Sequence, residues 1–89
     1  MKAYQVTYRV GTSRTEMSDV IAAGSIEDAI AAVKAPGVMI VVESVYPIEF
    51  MVTTSAGASS VFRDRLEAQG YMLSLVAQGV TFSFSRGRA

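Results

Sequence analysis

From Lys2 to Val10 polar and apolar residues alternate, with Tyr4, Val6, Tyr8 and Val10 on one side and Ala3, Gln5, Thr7 and Arg9 on the other. A period of two predicts a strand with one face against a core and one in water. Gly11-Thr12-Ser13-Arg14 has turn composition, and residues 15–23 return as a second strand in which Asp19 shares the parity of Met17, Ile21 and Ala23. A carboxylate there suggests an edge strand, because charge discourages edge-to-edge pairing. The period then changes. Ile26, Ala29, Ile30 and Val33 fall at i, i+3, i+4 and i+7, the stripe of a helix lying on a sheet. Ser25 supplies the N-cap, Glu27 and Asp28 suit the positive end of the helix dipole, and Pro36-Gly37 prevents continuation beyond Lys34.

Residues 38–42, VMIVV, are apolar on both parities, as expected of a strand in the middle of a sheet. Pro47 predicts a corner at Tyr46-Pro47, after which residues 48–54 alternate again, with Ile48, Phe50 and Val52 inward. Residues 55–60 are small and predict a loop or a loosely capped helix start. A second helix follows over residues 61–69, with Val61, Phe62 and Leu66 buried and Gly70 at its end. Residues 71–77 and 80–85 then read as two strands joined by Gln78-Gly79 as a primed turn, and residues 86–89 as a frayed basic tail.

These elements predict one α+β domain over residues 1–89 in the order ββαβ-βαββ. The expected sheet is antiparallel, has about six strands and carries two helices on one face. Its strand order would be 2-1-3 in the first half and 4-6-5 in the second, joined by pairing strands 3 and 4. A ferredoxin-like core with extra strands is the competing topology; it would place strand 2 internally and take strand 1 from its hairpin partner.

Composition narrows the functions. With 51% apolar residues in 89, the chain has more apolar surface than a thin core of this size readily covers. Eight basic and eight acidic side chains give no net charge, which removes the long-range attraction used by non-specific nucleic-acid binders and the acidic envelope of a DNA mimic. Histidine and cysteine are absent, so imidazole bases, thiol nucleophiles, disulfides and the usual zinc or copper sites are excluded by inventory. The carboxylates have no spacing that forces two into a cleft, and the serines have no histidine to activate them. The loop at residues 55–60 lacks a Walker lysine and the glycine spacing of a phosphate loop. Neither an enzyme nor a cofactor is expected. The alternating N-terminus lacks the unbroken apolar run of a signal peptide, so a cytoplasmic location is expected and no membrane association.

The aromatics Tyr4, Tyr8, Phe50, Phe82 and Phe84 share parity with core positions, which makes nucleic-acid stacking the less favoured use of them. The opposite parity is more informative. It lines up Met39, Val41, Met51, Met72 and Val76 with no helix to cover them, and adaptable methionines and exposed apolar patches mark contact surfaces. Six strands of five residues cover only about 450 Å² in projection. A standard interface takes about 800 Å² per partner, so Arg9 and the turn bearing Arg14 are expected to join the contact.

MKAYQVTYRV, the returning strand and capped helix VIAAGSIEDAIAAVK, and PGVMIVVESV resemble, over residues 1–46, small proteins of phages and mobile elements, among them phage anti-CRISPR proteins with a strand–strand–helix–strand layout. That resemblance implies a non-enzymatic inhibitor, carried by a phage, that blocks a bacterial CRISPR-Cas defence complex sterically or conformationally. The balanced charge departs from the strongly acidic members of that group. The expectation is thus a protein-binding module, with a self-assembling homodimeric subunit as the alternative and nucleic acid the less favoured partner.

Overall fold

The computed structural model describes residues 1–89 and has five antiparallel strands and two helices: β1 (Lys2–Val10), β2 (Met17–Ala23), α1 (Ile26–Val33), β3 (Ile40–Thr54), β4 (Ser59–Phe62), α2 (Arg65–Ala77) and β5 (Phe82–Arg88). The protein is α+β, as the hydrophobic pattern predicts. It forms two compact units, Met1–Pro47 and Ile48–Ala89, with the long strand β3 contributing to each.

In the first unit β1 lies between β2 and the beginning of β3, giving the expected order 2-1-3. The ferredoxin-like alternative is thereby ruled out, since β2 is an edge paired only with β1. Tyr4, Val6 and Tyr8 are buried with Ala23 and with Ala29 of α1, and Ile40, Val42 and Val45 pack around them. Val42 and Val45 reach the same core despite their odd spacing because the register shifts by one: Tyr8 faces Val42 while Thr7 faces Ser44, leaving Glu43 as the extra residue of a bulge. Ser25 caps α1 by accepting the N–H of Asp28. Ile26 stays exposed at the first turn, so the buried stripe of α1 is narrower than its spacing suggests.

Tyr8 Oη donates a 2.6 Å hydrogen bond to Asp19 Oδ2, so the edge-strand carboxylate is tied to the core tyrosine. That hydrogen bond, then burial, then the negative charge of Asp19 raise the Tyr8 pKa above its ordinary value. A raised folded-state pKa gives stability that is complete below the unfolded tyrosine value of about 10 and is lost as pH climbs through the folded value. Denaturant midpoints measured across that alkaline range are expected to fall less steeply in Asp19→Asn than in the wild type. Equal slopes would show that the carboxylate does not hold the phenolic proton.

In the second unit residues 48–54 of β3 form the centre of a three-stranded antiparallel sheet, with β4 and β5 as partners. Ile48, Phe50 and Val52 are buried on one face. Phe50 stacks on Phe84 with ring centroids 5.8 Å apart, and Phe62 meets Tyr71 of α2 at 5.4 Å. Ala68 and Leu75 are the buried residues of α2, and Asp64 caps the helix by accepting the Leu66 N–H at 2.8 Å. Arg63, just before the cap, donates from Nε to the Ile48 carbonyl at 2.9 Å and ties the entry of α2 to β3.

Several expected elements are corrected here. The strands predicted at residues 38–42 and 48–54 do not pair with each other; they are parts of the single strand β3, in which Pro47 is extended rather than a corner. Pro47 faces Tyr4, and the next residue, Ile48, faces Arg88, so the missing N–H falls where β3 changes partner. Residues 55–58 are a hairpin turn into β4, closed by Thr54 N–H to Ala58 O at 2.8 Å, so Val61 and Phe62 lie on a strand, Val61 exposed, and the helix predicted over residues 61–69 begins only at Arg65. The predicted strand at residues 71–77 is the second half of α2, which runs through Gly70. The predicted tail is ordered as far as Arg88 in β5. The pairing of residues 48–54 with the last strand is as expected.

Candidate functional site

No helix is long and apolar enough to cross a membrane, and no group of three or more acidic side chains gathers into a metal-binding cluster. Two shallow hollows lie in the second unit. One, of about 240 Å³, is lined by Thr53, Thr54, Ser55, Thr81, Phe82 and Ser83 and contains no charged group. The other, of about 250 Å³, lies between α2 and β5 and is lined by Arg65, Gln69, Met72 and Phe84.

The residues expected at a contact surface fall into separate groups. In the first unit Arg9 and Val41 are direct cross-strand neighbours on the face opposite the core, and Met39, two residues ahead of Val41, continues that face. Gly11 N–H donates to the Met39 carbonyl at 2.7 Å, which fixes the backbone there although the side chain is 65% exposed. Arg9 Nε approaches Glu43 Oε1 to 2.5 Å as an ion pair without hydrogen-bond alignment, so its charge is partly compensated within the sheet. Arg14 stands in the exposed turn between β1 and β2, away from any strand ladder.

In the second unit Met51 faces Val61 across the β3–β4 pair, and both are exposed on the side of the sheet away from Phe50. Met72 and Val76 do not join them. The strip predicted from strand parity is broken because these two residues are helical: Met72 lines the groove beside Phe84, and Val76 lies on the outer side of α2. The outer side of α2 is the feature strand parity missed. Leu66, Gly70, Leu73 and Ala77 recur at i, i+4, i+7 and i+11, with Val76 alongside, and Leu66, Leu73 and Val76 are 76%, 62% and 63% exposed. Leu66, expected in the core, is therefore outside it. The i, i+7 spacing of Leu66 and Leu73 was the available signal, hidden once residues 71–77 were read with period two.

This arrangement presents apolar side chains on a helix, an open sheet face, and a groove edged by arginine. The chain matches no known protein family, no characterised protein and no solved structure.

Proposed function

We propose that the protein is a non-enzymatic protein-binding module that acts by occupying a site on a larger partner. The observation that carries this reading is the balance of apolar surface: twelve large hydrophobic side chains are exposed, against eleven buried hydrophobic residues of which four are alanine. Single exposed apolar residues are ordinary, but Leu66, Leu73 and Val76 share the outer side of one helix, an arrangement that favours a contact surface.

A helix the length of α2 spans about 20 Å, and a stripe about 10 Å wide offers roughly 200 Å², well short of the roughly 800 Å² per side of a stable interface. An interface through α2 alone is therefore too small, so the partner also covers surface beside the stripe. Tyr4, Tyr8 and Phe50 are buried; Phe84, expected in the core with them, is half exposed but is a single ring stacked on Phe50, not the row of rings that successive bases use, which argues against nucleic acid. The partner class follows from the resemblance of residues 1–46 to phage anti-CRISPR proteins: a bacterial CRISPR-Cas complex, blocked sterically or conformationally in the host cytoplasm by a phage-borne inhibitor.

Affinity capture from a bacterial lysate carrying such a complex tests the reading. The wild-type chain is expected to retain one defined assembly, and Met51→Glu, a charge placed on the open sheet face, to retain several-fold less of it. Capture of nothing by the wild-type chain would overturn the proposal, as would elution of a chain that turns over a substrate.

A further inference from the structure

Strand β5 pairs with β3 and with no other strand, so its second edge presents unpaired backbone N–H and C=O groups. Protein edges of this kind are normally shortened, bulged, charged, interrupted by proline or covered. β5 has only charge, and only at its end, on Arg86 and Arg88: it is seven residues long, its register against β3 runs unbroken from Ile48↔Arg88 to Thr54↔Phe82, and every residue after Phe82 is exposed. By contrast β4 has four residues, and β2 carries Asp19.

The side chains beside this edge have one sign. Phe84 lines the groove with Arg65, Gln69 and Met72, and Arg86, two residues along, shares the face of Phe84. The unit's carboxylates lie elsewhere. Glu49 has the opposite parity on β3, Asp64 is engaged as the helix cap, and Glu67 lies round the helix from Arg65, Gln69 and Met72. The groove thus has an apolar floor and a cationic rim with no internal counter-charge.

We infer that β5 accepts an extended acidic segment of a partner protein as an added strand, with an apolar side chain seated over Met72 and Phe84 and a carboxylate two residues away on Arg86. The spacing follows from the pleat. Side chains on one face of the added strand recur every second residue, so the one opposite Phe84 and the one opposite Arg86 are two apart. Arg65 opens α2 at the same end as Arg86, because Arg63 just before it bonds the Ile48 carbonyl and Ile48 faces Arg88, so it adds to the same cationic site. Backbone hydrogen bonds supply affinity without sequence preference, and an apolar residue with an acidic one two positions away supplies selection; acids on both sides of the apolar residue serve either direction of the added strand. This inference rests on the protein-binding reading above and names the chemistry of one contact.

The probe is a labelled threonine-based peptide with a central leucine and a glutamate two residues to either side; its counterpart has lysines in place of the glutamates. Fluorescence anisotropy with the full chain is expected to show the glutamate peptide binding at least tenfold more tightly, with binding weakened by salt. Amide exchange should slow over Phe82–Arg88 on binding. In Arg65→Glu/Arg86→Glu the preference should reverse toward the lysine peptide. Both substitutions lie at exposed positions, and an acid suits the first turn of α2, so the fold is retained. Equal binding of the two peptides, no binding of either, or protection away from β5 would overturn the inference. So would assembly of the chain through β5 and the β2 of a second copy that the glutamate peptide fails to dissolve. Failure with the peptides while the wild-type chain still captures a partner sinks this contact alone; failure of capture sinks the binding reading itself.

Discussion

Phe50→Ala is expected to lower the unfolding free energy by about 3–5 kcal/mol, the range for removing a buried aromatic from a core. Chains of this length have about 4–13 kcal/mol in all, so the variant stands near the limit of folding. The reason is local. Phe50 is buried at the centre of the second unit, pairs with Phe62 across β3–β4 and stacks on Phe84 across β3–β5, so its loss opens a cavity that touches all three strands. Phe84→Ala should cost only about a third as much, because that ring is half exposed and loses little transfer free energy. Urea unfolding of the three proteins checks the order. Similar midpoints for Phe50→Ala and Phe84→Ala would mean that the second unit is not organised around Phe50.

Where alternation was strict, the sequence pattern was sufficient. β1, the edge character of β2, the capped helix α1 and the order of the first three strands all follow from parity and caps between Lys2 and Val42. In the second half three local signals point away from the observed elements, each for a definable physical reason. Gly79 has φ +71, which serves a primed hairpin turn and a helix C-terminus equally well. Here it closes α2, with Gly79 N–H on Val76 O at 3.0 Å and Val80 N–H on Leu75 O at 2.9 Å, the two hydrogen bonds of a Schellman ending. Gly70 suggested an end to the helix, yet a mid-helix glycine costs only about 1 kcal/mol relative to alanine, and Met72, Leu73 and Leu75 are strong helix formers that carry α2 past it. Pro47 suggested a corner, but a proline is tolerated in an extended strand where no ladder partner requires its N–H.

The candidate site inherited these errors. Arg9, Val41 and Met39 are neighbours as the parity of residues 2–10 and 38–42 implies, and Met51 is on an open face as expected. Met72 and Val76 were assigned to the same sheet only because residues 71–77 were read as a strand. The arginine-edged groove depends on how α2 lies against β5, which no local pattern encodes.

Leu73→Glu is the substitution expected to affect binding most. Leu73 sits at the middle of the exposed stripe, between Leu66 and Val76. A residue at the centre of a contact is the one most completely desolvated in the complex, and truncation of such a residue costs about 2 kcal/mol or more. A carboxylate buried there without a partner adds to that loss. Together these predict a fall in affinity of at least a hundredfold, while the exposed position leaves the unfolding midpoint close to that of the wild type. Arg14→Ala, in the exposed turn between β1 and β2, should change affinity far less, because a solvated charge acts mainly on the rate of encounter.

The most direct measurement is isothermal titration of the purified partner, identified by capture, with the wild-type chain and with Leu73→Glu. The protein-binding account predicts a defined stoichiometry for the wild type, a large negative heat-capacity change from apolar burial, and a loss of at least a hundredfold in affinity for a variant that is still folded. Equal affinity of the two chains for the partner would contradict it.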